Sequence, residues 1–252
     1  MNMSQFYITL PSDSSMNVFP NNTVAHYTTK LAQRIHLDGD YEVALTECIY
    51  PKNWVNFKGD MSMRIMKASN KTGCELVTFK NGYFENIRDL LKYMNGENEK
   101  ADNSQVGLEY DEVTRKISLL TVQPSGMIMS DALQNYLGFL QKGPYERGIY
   151  EAENTFDLNA GVHLMYIYSD IASFSLVGDT QTPLLRVCST SGTNGDKRRV
   201  TFTNPQYMPV AYRDFESIEI NINNELGEPM PFMQGKSVCT LHFRRINTLS
   251  VR

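Results

Sequence analysis

The sequence predicts an all-β chain, a Greek-key sandwich or jelly roll with two short helices and loop insertions. Three observations carry that expectation. Apolar residues alternate with polar ones in many short runs, the mark of strands with one buried face. The aromatics are 14 Tyr and 12 Phe against one Trp, and 16 Gly and 10 Pro punctuate the runs, a β-friendly composition broken by turns. Only two windows switch to the helical period.

Residues 6–23 begin extended and then pass through turn formers, Pro11, Ser12, Asp13, Ser14 and Pro20, Asn21, Asn22, so residues 1–24 read as a peripheral arm and a candidate intersubunit strap. From Ala25 a long strand follows: Tyr27, Thr29 and Leu31 share one parity, Gln33 interrupts it, and Ile35 and Leu37 resume it. Asp38-Gly39-Asp40 supplies a turn. Tyr41, Val43, Leu45, Glu47 and Ile49 then alternate up to Pro51, which predicts a second strand antiparallel to the first. The Asp-Gly-Asp triplet lacks the spaced oxygens and terminal Glu of a calcium loop and reads as a turn.

Met61, Met63 and Ile65 form another alternating run, and Cys74, Leu76 and Thr78 begin one that ends at Asn81-Gly82. Ile87, Leu90, Leu91 and Met94 stand at i, i+3, i+4 and i+7, a helical face that Asn95-Gly96 is placed to stop. The charged stretch Glu97–Asn103 reads as a surface loop. Leu108 and Tyr110 with Ile117, Leu119 and Thr121 predict a hairpin across Asp111 to Thr114. Ser130-Asp131 can cap a second helix bearing Leu133, Tyr136 and Leu137, with Gly138 as its left-handed terminator.

Residues 142–160, with Gly143-Pro144, Gly148 and scattered acids, look like a surface insertion. Beyond them Val162, Leu164, Tyr166 and Tyr168 alternate, Leu184–Cys188 is a compact apolar run, Val200–Thr203 is β-friendly, Ile218, Ile220 and Ile222 alternate, and Val238, Thr240 and His242 oppose Cys239, Leu241 and Phe243. From Ala25 onward this makes roughly eight to ten strands. Uneven connections and the lack of a repeat favour a Greek-key sandwich or jelly roll within one domain, residues 25–252.

Composition also excludes. Lys and Arg number 24 against 28 acids, a net charge of −4, so the surface as a whole is not built to coat nucleic acid. No apolar run approaches the ~20 residues of a membrane span, and the N-terminus lacks the features of a secretory signal. The sequons at Asn2, Asn21 and Asn70 matter only in a secreted chain. Cys48, Cys74, Cys188 and Cys239 are scattered and read as reduced core thiols.

Chemistry is sparse. Gly235-Lys236-Ser237 resembles the tail of a phosphate loop, but Met230 stands where its first glycine belongs and a strand follows rather than a helix. His26, His36, His163 and His242 form no His-x-His pair, no Gly-x-Ser-x-Gly elbow occurs, and the acids nominate no carboxylate pair. No catalytic residue, metal ligand or cofactor is therefore expected. Lys197-Arg198-Arg199, read as a loop cluster after Gly192–Gly195, is the densest basic site, a candidate contact for packaged DNA or a nuclear address, set against the commoner reading of solvated loop charge.

The segments 6–16 and 19–23, then Tyr41–Glu47 and Tyr50–Trp54, together with Leu133–Phe139, Tyr166–Leu185 and Ile218–Arg245, resemble in order and spacing the minor capsid (penton) proteins of Polinton, or Maverick, elements and related adintoviruses. The resemblance implies a single jelly roll assembling as a homopentamer at the fivefold vertices of an icosahedral capsid, beside trimers of a double-jelly-roll major capsid protein, in the virion and without catalysis. It singles out Trp54, Gly138, Gly178, Asp179, Pro183 and Gly235 as matched structural positions. Two other classes share the fold: a soluble recognition module, such as a lectin-like or cytokine-like trimer, and a cupin-type metalloenzyme.

Overall fold

The strands, in a computed structural model, are β1 (Gln5–Pro11), β2 (His26–His36), β3 (Tyr41–Pro51), β4 (Ser62–Met66), β5 (Cys74–Thr78), β6 (Val106–Asp111), β7 (Lys116–Thr121), β8 (Met127–Met129), β9 (Gly148–Glu151), β10 (Leu164–Ser169), β11 (Ser175–Val177), β12 (Thr180–Thr182), β13 (Leu184–Ser189), β14 (Lys197–Thr201), β15 (Met208–Pro209), β16 (Asp214–Asn223) and β17 (Val238–Arg245). Two helices interrupt them, α1 (Ile87–Lys100) and α2 (Asp131–Leu137). The structure describes residues 4–66, 74–100, 106–122, 126–159, 162–190 and 192–246, so Asn2, Asn70 and residues 101–103 of the expected charged loop lie outside it. Among the described residues no helix is long and apolar enough to cross a membrane.

The chain divides into two units. One comprises the residues up to Trp54 and from Val162 onward, the other those from Val55 to Gly161. In the first, one sheet runs β1-β17-β3-β14, with β15 also on β3, and the other runs β13-β10-β16-β2. Every pairing is antiparallel. Counting only the eight strands β1, β2, β3, β10, β13, β14, β16 and β17 in chain order, the sheets read 1-8-3-6 and 5-4-7-2. This is the double-sheet, two-Greek-key pattern of a jelly roll.

Alternation explains why the sheets face each other. Val43, Leu45, Leu241 and Phe243 from one sheet share a core with Tyr27, Ile167, Ile218, Ile220 and Ile222 from the other. Each aliphatic side chain so removed from water contributes about 1.5–3 kcal/mol. Tyr27 is buried with its hydroxyl donating to Leu10 O at 3.1 Å, which spares the core an unmet polar group.

Several expectations need correcting. The 25–37 and 41–51 strands are not a hairpin, since β2 pairs with β16 and β3 with β17. The Asp38-Gly39-Asp40 turn instead steps between sheets: Leu37 N–H donates to Arg213 O and Ile246 N–H donates to Asp40 O, both at 2.8 Å. Residues 1–24 are not simply an arm, because β1 registers along β17 from Gln5↔Arg244 to Pro11↔Val238. Sixteen strands follow Ala25 among the described residues, more than the roughly eight to ten expected, because ribbons of two or three residues carry too little alternation to read.

The insertion also differs in extent. Residues 142–160 do not stand apart: Gly148↔Thr121 and Tyr150↔Leu119 place β9 on β7, within a unit that begins at Val55. That unit has its own core, including Phe57, Met63, Leu90, Met94, Leu119, Leu133 and Phe139. Its sheets are β5-β4-β8 and β6-β7-β9. Helix α1 does not stop at Asn95-Gly96 but runs to Lys100. Asn95 is spent elsewhere, its Oδ1 accepting Leu108 N–H at 2.9 Å and its Nδ2 donating to Leu108 O at 3.0 Å. Two parities are reversed as well. In β5 only Val77 is buried, leaving Cys74 and Leu76 exposed, and in β10 Met165, Ile167 and Ser169 point inward while Leu164, Tyr166 and Tyr168 are half-buried. Alternation fixes a period but not which face meets the core.

Helix α2 is capped as its sequence predicts. Ser130 Oγ accepts Leu133 N–H at 3.2 Å, and Gly138 ends the helix at φ 89°, ψ 13°.

Candidate functional site

The residue types that carry chemistry are dispersed. His26 Nε2 lies 3.1 Å from Glu219 Oε1 and His36 Nδ1 lies 3.0 Å from Asp214 Oδ1, both at the surface. His163 donates its backbone N–H to Glu225 at 3.1 Å. Among the described residues no group of three His, Cys, Asp or Glu stands close enough to hold a metal ion. Cys48, Cys188 and Cys239 are buried and Cys74 is exposed, which corrects the reading of all four as core thiols. Cys48 and Cys239 face each other across β3 and β17 with sulfurs 3.9 Å apart.

The Gly235-Lys236-Ser237 segment makes no phosphate cradle. Ser237 N–H is taken by Ser12 Oγ at 3.1 Å, Ser237 Oγ donates to Val24 O at 2.6 Å, and Lys236 Nζ lies 3.3 Å from Asp13. Gly235, at φ 98°, lies against Pro51, and the chain then enters β17. Trp54 is buried, its ring edge-on to Phe232 at 6.0 Å. Gly178 and Asp179 form the exposed two-residue turn between β11 and β12. Pro183 accepts Ser169 N–H at 3.1 Å just before β13. Gly178, Asp179 and Pro183 are neighbours along the chain, Trp54 and Gly235 belong to the first unit and Gly138 to the second.

The basic triplet lies in β14, not in a loop, because Lys197 to Thr201 pair with Pro51 to Glu47 at the sheet edge. Pleating splits it. Lys197 and Arg199 are exposed on one face, with an Arg199 nitrogen 2.5 Å from Glu47 Oε2, while Arg198 is half-buried on the other beside Gly192. Lys52 donates to Gly192 O there, and burial, then Arg198, holds its pKa below the usual lysine value. The cluster thus offers phosphate one exposed lysine and one arginine already paired.

Two surfaces of the jelly roll gather side chains that the sequence did not bring together. On the outer face of the β1-β17-β3 sheet, His242 is 6% exposed, stacked on Tyr7 at 4.3 Å and bonded through Nδ1 to Tyr207 OH at 2.7 Å. Arg244 covers the Tyr207 ring at 3.5 Å and pairs with Glu42. Burial, with the Arg244 charge adding to it, lowers the His242 pKa.

On the outer face of the other sheet is a groove of about 470 Å³ whose lining includes Asp170, Phe174, Tyr212, Glu219, Asn221 and Asn223. Strand β16 makes its floor, since Glu219, Asn221 and Asn223 alternate with the inward Ile218, Ile220 and Ile222. Asp170 Oδ1 accepts Glu219 N–H at 2.9 Å, and burial raises the Asp170 pKa. Phe174 and Tyr212 are 71% and 58% exposed. These positions come from three separate stretches of chain, so only folding reveals them.

No protein-family model matches the chain, and no curated protein matches it in sequence. Among solved structures it is similar to the mavirus penton protein, known from a crystal structure of its selenomethionine form, at 12% identity and a TM-score of 0.50, covering 96% of this chain and 100% of that one. It is also similar to a chain of the Sputnik virophage, solved by cryo-EM at 3.5 Å, at 14% identity and a TM-score of 0.50, covering 96% of this chain and 98% of that one. At such identities the likeness establishes a shared fold.

Proposed function

We propose that this chain is a penton-type minor capsid protein, a homopentamer that fills the fivefold vertices of an icosahedral capsid in the virion beside trimers of a double-jelly-roll major capsid protein. The observation that carries this reading is the end-to-end likeness to the mavirus penton protein, which takes in 96% of this chain and all of that one rather than the sandwich alone. Two features of the jelly roll support it. Its open sheets present different edges on opposite flanks, β1 and β14 in one sheet and β2 and β13 in the other. A contact between two unlike surfaces, repeated about an axis, closes into a ring when the rotation allows. The edges also carry charged residues, Lys30 and Arg34 on β2 and Lys197 and Arg199 on β14, which oppose indiscriminate edge pairing and leave specific pairing to shape and charge.

Native mass spectrometry and electron microscopy of the purified chain, alone and mixed with a double-jelly-roll shell protein, test the proposal. Rings of five support it. Trimers, or a chain that stays monomeric at high concentration even with the shell protein, overturn it. The contact of Lys197, Arg198 and Arg199 with packaged DNA is tested by replacing the three with Gln, the expected result being reduced nucleic acid retained in purified capsids.

A further inference from the structure

From the groove on the outer face of the β13-β10-β16-β2 sheet, we propose that this protein binds a neutral oligosaccharide there. The site is formed within one copy of the jelly roll. Its volume, about 470 Å³, is in the range of small-molecule sites. The floor presents Glu219, Asn221 and Asn223 in file along one face of β16, at about 6.8 Å intervals for alternate strand residues. The amide oxygens of Asn221 and Asn223 are buried without partners. With the oxygens shut away, the two amides offer N–H donors to the groove, while the Asp170 and Glu219 carboxylates offer acceptors. Phe174 and Tyr212 stand exposed at its sides, unusual for large rings unless they meet something amphipathic.

A ligand for this lining must donate and accept hydrogen bonds at neighbouring atoms and lay an apolar face on an aromatic ring. Sugar hydroxyls on a pyranose ring do both. An anionic ligand would meet two carboxylates and no cation in the lining. A cationic ligand would meet amide donors, and Glu219 is already paired with His26.

Saturation-transfer NMR on the full-length chain, with millimolar cellobiose, maltose, lactose and N,N′-diacetylchitobiose as probes, tests the proposal. 3′-Sialyllactose serves as the anionic probe and spermidine as the cationic one. The expected result is transfer to at least one neutral disaccharide, with affinity lowered about tenfold by Phe174→Ala or Asn221→Ala, each removing one side-chain contact. The exposed control Met233→Ala leaves binding unchanged. Matching melting curves for all variants show that the loss is local. No transfer to any neutral disaccharide, stronger binding of spermidine or sialyllactose, or binding that survives both groove substitutions overturns the proposal. So does binding by the monomer that assembled rings exclude, since the groove would then be a contact between copies. Every outcome but the last is read without regard to whether rings of five form.

Discussion

Replacing Gly138 by Ala separates two costs at the end of α2. Gly138 sits at φ 89°, where a side chain is strained, and a Cβ there would lie 2.6 Å from Asn154 O. That oxygen belongs to backbone held in place by Asn154 N–H donating to Gly138 O at 2.9 Å, so it cannot swing aside as a flexible side chain would. The left-handed conformation costs about 1–2 kcal/mol for a residue with a Cβ, and forcing an extra methyl into packed structure about 1–3 kcal/mol. Together they predict a loss of about 2–5 kcal/mol, lowering the melting midpoint by roughly 4–20 °C at about 2–4 °C per kcal/mol. Urea and thermal unfolding followed by circular dichroism measure it. Gly138→Asn divides the sum: Asn tolerates the left-handed region but brings the same Cβ, so it should recover part of the conformational cost of about 1–2 kcal/mol and keep the collision cost of about 1–3 kcal/mol. A loss below about 0.5 kcal/mol for Ala, the range of neutral surface changes, or full recovery with Asn, would refute the collision with Asn154.

Four further outcomes follow. Ile220→Ala, in the middle of the sandwich core, should cost about 2–5 kcal/mol in urea unfolding. His242 has a folded pKa below its unfolded value of about 6.5, so its contribution is fully present above that value and is lost as pH falls through the unfolded and then the folded pKa; comparing unfolding at pH 7.5 and 5.0, His242→Gln should reduce the acid-induced loss. Burial raises the Cys188 thiol to about 12 and only Cys74 is exposed, so a thiol reagent should label one cysteine quickly in the native protein and four after unfolding. Deleting residues 1–24 should lower solubility and stability, not merely block ring formation, because it strips β1 from β17 and removes the buried Leu10; a soluble truncated chain with an unchanged melting midpoint would count against that.

Where local physics decides structure, the sequence was readable. The parity of Tyr27, Thr29 and Ile35, the gap at Gln33, the Ser130 cap and the Gly138 terminator are all set by neighbours in the chain. So is the hairpin across Asp111 to Thr114, where Asp111 Oδ1 accepts Val113 N–H at 2.7 Å. What depends on distant partners was not. Asp38-Gly39-Asp40 makes a turn in either topology, and only Arg213 and Ile246, far along the chain, decide that it changes sheets. The tyrosines of β10 alternate as a core face would, yet they face outward because both its inner neighbours and its polar tips must be satisfied. Gly96 looked like a stop, but a helix interior accepts glycine at a cost of about 1 kcal/mol. The groove escaped for the same reason: its floor is polar and unremarkable in sequence until β10, β16 and the segments beside them are laid side by side.

The excursion from Val55 to Gly161 has its own core, while the residues on either side of it, Trp54 and Val162, are anchored in the core of the sandwich. Closing a loop costs free energy that grows only with the logarithm of its length, so the eight-strand frame is nearly indifferent to what is spliced between those two anchors. Selection, or an engineer, can exchange that cargo for another self-folding module and keep the strand register of the frame intact.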